Sequence, residues 1–252
     1  MNDLRLLARQ IRYENRAFWR NPAAAFFTFA FPLIFMVIFS VIFGNRDVGP
    51  GQSAASFYTP AIIAFSIITA CYTNLAMSVT TIREEGILKR VHGTPLPTWV
   101  YLCARVGESI LVGLILVVIV MVFGDIVYGM ALPLDQAPLL LLVLLLGCAA
   151  FCALGLAVSG LVPNANAAPA VVNATVLPLL FISDVFVPID RGSFLAQIAG
   201  IFPVRHFADA LQAVFTPSVN GTVSATDLAW IVAWAVLGMV LALRTFTWEP
   251  RG

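Results

Sequence analysis

A chain of 252 residues that is 60% hydrophobic, only 11% charged and of formal net charge +1, with a mean hydropathy of +0.94, cannot cover a soluble surface. Soluble domains carry about 25% charged residues, so the chain is read as an integral membrane protein, all-α, with length for about six transmembrane helices at ~20 apolar residues each. No sizeable soluble domain fits beside them, which argues against a fused ATPase.

Residues 1–20 are predicted to form an amphipathic interfacial helix. At about 100° per residue, Arg5, Arg9, Arg12, Arg16 and Arg20 share one arc, whereas Leu4, Leu7, Ile11 and Phe18 gather opposite. A basic face beside Trp19 suits an anionic leaflet. The first apolar run is long enough to span, so the start does not read as a signal peptide.

Span one is expected over 23–43 and span two over 60–81, with Gly44, Gly49, Pro50 and Gly51 between them. Charge then returns abruptly in residues 83–97. Spans three and four are expected over 100–123 and 137–162, and span five over 167–183 after the turn Pro163-Asn164-Ala165-Asn166. The segment 184–226, interrupted by Pro188, Pro203 and Pro217, reads as a re-entrant outer segment, and span six as 228–243. The whole chain 1–252 is one transmembrane domain.

Basic residues orient it. With the N-terminus inside, the inner side collects Arg5, Arg9, Arg12, Arg16, Arg20, Arg83, Lys89, Arg90, Arg105, Arg244 and Arg251, and the outer side only Arg46, Arg191 and Arg205. Both termini are expected in the cytoplasm.

Several polar groups lie inside the spans. Ser66, Thr69, Thr73 and Thr80 recur at helical spacing in span two, near Tyr72, Asn74 and Ser78. Such groups either bond a neighbouring helix or face a polar cavity. Arg105 and Glu108, at i and i+3 early in span three, can pair on one face as an intramembrane charge pair. Ala149, Ala153 and Ala157 form one small-residue row of span four, and Gly155 with Ser159 another. Cys71, Cys103, Cys148 and Cys152 sit in apolar runs, where cysteine packs as a small hydrophobe.

The run Arg83-Glu84-Glu85-Gly86-Ile87-Leu88-Lys89-Arg90-Val91-His92 alternates charged and apolar side chains as a short surface helix does, and Gly93 with Pro95 ends it. A helix held along the membrane and joined to two spans can turn a push into helix movement. This run, with Thr94-Pro95-Leu96-Pro97, resembles the cytoplasmic coupling segment of type-2 ABC transporter permeases, the group that holds daunorubicin-resistance-like drug exporters and polysaccharide or lipid exporters. The stretches 177–188 and 202–211 are similar to that family's end of span five and outer helix; Asp184 stands where the family usually has glycine. The resemblance covers the whole chain.

It implies that the coupling helix 83–97 seats in a groove of a separate ATPase through Arg83, Glu84, Glu85, Gly86, Lys89 and Arg90. It also implies two ATPase subunits, a second permease (identical or homologous), and a pathway to which spans two and five contribute Thr69, Tyr72, Thr73 and Asn173. ATP and Mg would belong to the ATPase; this chain is expected to bind no cofactor, metal or nucleic acid and to catalyse nothing. No phosphate loop ending in Gly-Lys-Ser/Thr exists, and His92 and His206 are expected on opposite sides of the membrane. The expected location is the bacterial cytoplasmic membrane. The expected cargo is an amphipathic drug, antibiotic or lipid-like molecule, or alternatively a lipid-linked polysaccharide. A secondary transporter driven by an ion gradient is the competing class; it would call for inverted repeats and midplane carboxylates.

Overall fold

The computed structural model describes residues 3–43, 47–49, 52–94, 96–130, 132–183, 194–217 and 221–247. Within them the chain is helical apart from two short paired strands, Asp47–Gly49 and Gln52–Ser53.

The helices are α1 (Asp3–Trp19), α2 (Pro22–Phe43), α3 (Ala54–Ile68), α4 (Leu75–Glu84), α5 (Ile87–His92), α6 (Thr98–Tyr128), α7 (Ala137–Leu161), α8 (Ala168–Ile182), α9 (Phe194–Ala199), α10 (Pro203–Phe215) and α11 (Ala225–Thr245). Four helical stretches are long and apolar enough to cross a bilayer: Phe57–Glu84, Trp99–Tyr128, Leu134–Leu161 and Ala225–Thr245. Two shorter apolar stretches, Ala25–Phe39 within α2 and Ala168–Ile182, stand where spans one and five are expected.

α3 is the axis of the bundle. Ile62, Ile63, Ile67 and Ile68 are all buried, although they point in different directions around the helix. A helix apolar on every side is stable only when enclosed, and α2, α6, α7 and α10 enclose this one. The outer faces behave differently. Val118, Val122 and Ile126 of α6, Leu141 and Leu145 of α7, and Val232, Val236 and Val240 of α11 are exposed. So continuous an apolar surface would aggregate in water and is matched by lipid.

Two elements depart from the sequence reading, spans three and two. Span three runs past Phe123 to Tyr128, because Gly124 and Asp125 continue the helix and Gly129, at φ +63°, ends it. Span two is not uniform: Thr69–Asn74 forms a π-helical turn between α3 and α4. The segment expected to be re-entrant is described over 194–217 and 221–226, where α9 and α10 pack against the bundle; Asp184 lies outside the described residues.

Glycine permits the closest helix contacts. A Cβ at Gly155 of α7 would stand 2.9 Å from the Tyr72 carbonyl oxygen, and one at Gly238 of α11 would stand 2.9 Å from the Leu154 backbone nitrogen. Ala153 and Ala157 are buried as expected of a small-residue row, whereas Ala149 faces outward.

Candidate functional site

The charged turn after α4 is built from its ends inward. Glu85 caps α4, and Gly86 at φ +68° takes the left-handed conformation that reverses the chain into α5. Leu88 is fully buried and roots α5, while Glu84, Glu85, Lys89 and Arg90 stay exposed. The Arg90 guanidinium donates to the Glu85 carbonyl at 3.3 Å, which stiffens the turn.

Arg83 does not join that exposed set. It is 2% exposed, and its guanidinium donates to the carbonyls of Ser159 at 2.7 Å and Val162 at 2.5 Å. These carbonyls lie at the C-terminal end of α7, where backbone acceptors lack intrahelical donors and the helix dipole is negative. The adjacent Glu84 accepts from the backbone N–H of Ala165, in the turn that leads to the N-terminus of α8. Asn164 caps the same turn by accepting from the Ala167 N–H at 2.8 Å. Opposite charges thus meet opposite helix ends. Arg83 and Glu84 bind α4 to the α7–α8 corner, and the exposed charges of the turn are those of Glu84, Glu85, Lys89 and Arg90.

A cavity of about 910 Å³ opens beside this turn, between α1, α2, the π turn, α4 and α6. Arg105 lies in its wall, and here the expected pairing changes. Arg105 donates to Glu14 of α1 at 2.9 Å and to Ser78 Oγ at 2.7 Å, not to Glu108. The reason is packing. Ile11 of α1 seats against Gly107, where a Cβ would come within 2.9 Å of it, and this docking carries Glu14 onto Arg105. Gln10 steadies Glu14 with a 2.9 Å hydrogen bond. Glu14 lies on the apolar arc of α1, seven residues after Leu7 and three after Ile11, which is the signal that could have marked it. α1 is therefore docked on the bundle, with Trp19 stacked on Phe29 at 5.3 Å.

Of the four expected pathway residues only Thr69 lines this cavity. The Tyr72 hydroxyl lies 2.5 Å from Thr175 Oγ1 and fastens the π turn to α8. Thr73 and Asn173 are half-buried. Ser66 and Thr80 spend their hydroxyls on carbonyls of their own helix, Ile62 at 2.7 Å and Ala76 at 2.8 Å, as buried hydroxyls in apolar helices do. Cys71 meets Cys148 and Cys152 across the α7 contact. Among the described residues no cluster of three or more His, Cys, Asp or Glu has the arrangement to hold a metal.

At the opposite end of the bundle, His206 joins α10 to α11. Its Nδ1 lies 2.7 Å from Asp227 Oδ1, its Nε2 lies 2.8 Å from the Gly200 carbonyl, and its ring stacks on Trp230. Burial pulls the imidazole pKa down, but the Asp227 hydrogen bond and charge, the Gly200 carbonyl and Asp209 outweigh it and leave the pKa raised.

Long apolar helices, an amphipathic helix docked on them and an exposed charged turn define a multi-span membrane protein. A model of the ABC-2 type transporter family matches residues 5–216, and the chain belongs to that family. It is 22% identical over 241 residues to "Putative transport permease YvfS" of Bacillus subtilis (strain 168), covering 95% of this chain and 96% of that protein. "Probable multidrug ABC transporter permease YbhR" of Escherichia coli (strain K12) is 22% identical over 182 residues, 72% of this chain and 48% of that one. "Inner membrane transport permease YadH" of the same strain is 31% identical over 94 residues, 35% and 37% of the two chains.

Proposed function

We propose that this chain is the membrane-spanning subunit of an ATP-driven exporter, powered by a separate ATPase. It moves an amphipathic drug, antibiotic or lipid-like molecule out of the cytoplasm or inner leaflet. It acts with two ATPase copies and a second permease, through six spans with both termini in the cytoplasm.

One observation carries this reading: Lys89 and Arg90 stand exposed on a six-residue helix rooted in the bundle by Leu88, and Glu85 stands exposed in the turn just before it. Buried Arg83 ties the foot of α4 to the end of α7, so force applied to the exposed residues reaches two long apolar helices at once. A loop serving only topology needs no such lock. The sign of the surface also matters, because an acid followed by two bases favours a partner groove of mixed charge over a uniformly charged lipid face. Thr73 and Asn173, half-buried in a single copy, remain candidates for a pathway that closes between two copies.

The test is ATP turnover by the complex reconstituted in liposomes. Glu85→Arg should leave the permease inserted and bound to lipid, yet abolish the stimulation of ATP hydrolysis by the permease. Full stimulation and transport by that variant would refute the reading.

A further inference from the structure

The cavity between α1, α2, the π turn, α4 and α6 holds a carboxyl group that the lever mechanism does not use. Glu108 is 9% exposed, lines this cavity, and makes no hydrogen bond or ion pair within 4 Å among the described residues. The one guanidinium in the wall, Arg105, is already matched by Glu14 at 2.9 Å and by Ser78. With Glu85 also in the wall, three carboxylates face one guanidinium. A buried carboxylate without a counter-charge is costly in an apolar surround, and a cation placed beside it relieves that cost.

The rest of the wall suits an organic cation rather than a bare ion. Phe18, Phe27, Phe31, Met77, Ile82 and Val112 supply apolar and aromatic surface, while Asn74 and Ser78 supply a few polar groups. About 910 Å³ lies within the range of pockets that enclose drug-sized molecules. Phe27 and Phe31 are 66% and 44% exposed on the lipid-facing side of α2, so the rim opens toward the bilayer and a ligand dissolved in lipid can enter sideways. Benzene rings at such a rim favour cations over anions through the face of the ring.

We infer that this intrasubunit cavity is a binding site for amphipathic organic cations, with Glu108 as the anchoring carboxylate. The inference deepens the exporter reading and rests on it for the ligand's onward journey, but binding itself requires no ATPase.

The test is binding of tetraphenylphosphonium to the full permease in phosphatidylcholine nanodiscs at pH 8, without ATPase, by isothermal titration calorimetry. Saturable binding of the cation, and none of the isosteric anion tetraphenylborate at the same site, is expected. Glu108→Gln should weaken the cation about 10- to 100-fold, the span expected for losing one charged contact, while Glu108→Asp should stay within a few-fold. Val112→Trp, which places an indole in the wall one turn from Glu108 and leaves every charge in place, should weaken cation binding about 10-fold or more and serves if the Glu108 variant misfolds. Equal affinity in Glu108→Gln and wild type, or tighter binding of tetraphenylborate, overturns the proposal. The two readings separate cleanly. A permease that binds the cation but never docks an ATPase sinks only the exporter; one that stimulates ATP turnover but binds no cation sinks only this site.

Discussion

Arg83 illustrates how far a side chain's surroundings can differ from what its charge suggests when it is read without its neighbours. In a run of alternating charged and apolar residues it looks like one more solvated cation, and the family resemblance gives it to the partner's groove. The structure turns it inward, onto carbonyls of Ser159 and Val162 that lie more than seventy positions away in sequence. Arg83→Ala would leave both acceptors buried at the end of α7, at about 1–3 kcal/mol each. A domain of this length loses about 2–4 °C in Tm per kcal/mol. Differential scanning fluorimetry of purified protein should therefore show a drop of about 4 °C or more. Arg83→Lys should recover only part of it, because a single ammonium cannot fork to two carbonyls. Glu14 teaches the same lesson. Its partner Arg105 lies 91 positions on, and only the docking of Ile11 against Gly107 brings them together. The exposed members of the turn, Glu85, Lys89 and Arg90, were legible, since a charged surface helix presents itself as such in sequence.

Among elements, the long apolar helices were legible because hydropathy alone determines them, and their boundaries hold to a few residues. The π turn Thr69–Asn74 was not, since the polar spacing of Thr69 and Thr73 fits an ordinary helix equally well. The turn is held from two sides: Tyr72 bonds Thr175 of α8, and Gly155 lets α7 touch the carbonyls of Cys71 and Tyr72. Gly155→Val should push the helices apart at about 1–3 kcal/mol for overpacking, lowering Tm by about 2–12 °C. Ala149→Val, on the outward face of the same helix, should leave Tm within a degree or two. Comparable losses in both variants would deny the close contact. The α10–α11 clasp adds a pH dependence. Because the fold raises the His206 pKa, the protonated form is the favoured one, and its stabilisation is complete below the ordinary imidazole value of about 6.5. It is lost as pH rises through the higher folded value. The fluorescence of Trp230, stacked on the ring and isolated as the difference from Trp230→Phe, should titrate with a midpoint above 6.5; Asp227→Asn should move that midpoint down. A wild-type midpoint at or below the free value would contradict the clasp.

At the scale of the molecule, the described helices divide into two jobs. α4, α5, α7 and α8 meet at the Arg83–Glu84 corner and form a stiff foot beneath the bundle. α1, α2, the π turn, α4 and α6 surround the cavity, with Glu14, Glu85 and Glu108 in its wall. In the proposed mechanism the foot receives the push and the cavity the ligand; the π turn joins the two, since it lies in series with α4 and contributes Thr69 to the cavity. In the proposed exporter, motor and cargo are therefore linked through one continuous helical stretch, Phe57–Glu84.

The most direct measurement replaces Lys89 with a photo-crosslinking amino acid in the complete transporter and maps the product. The account predicts a covalent adduct between position 89 and the ATPase subunit, and none from the same probe at Leu134, in the turn that joins the far end of α6 to α7. An adduct from position 134, or none from position 89 while ATP turnover stays intact, would contradict it.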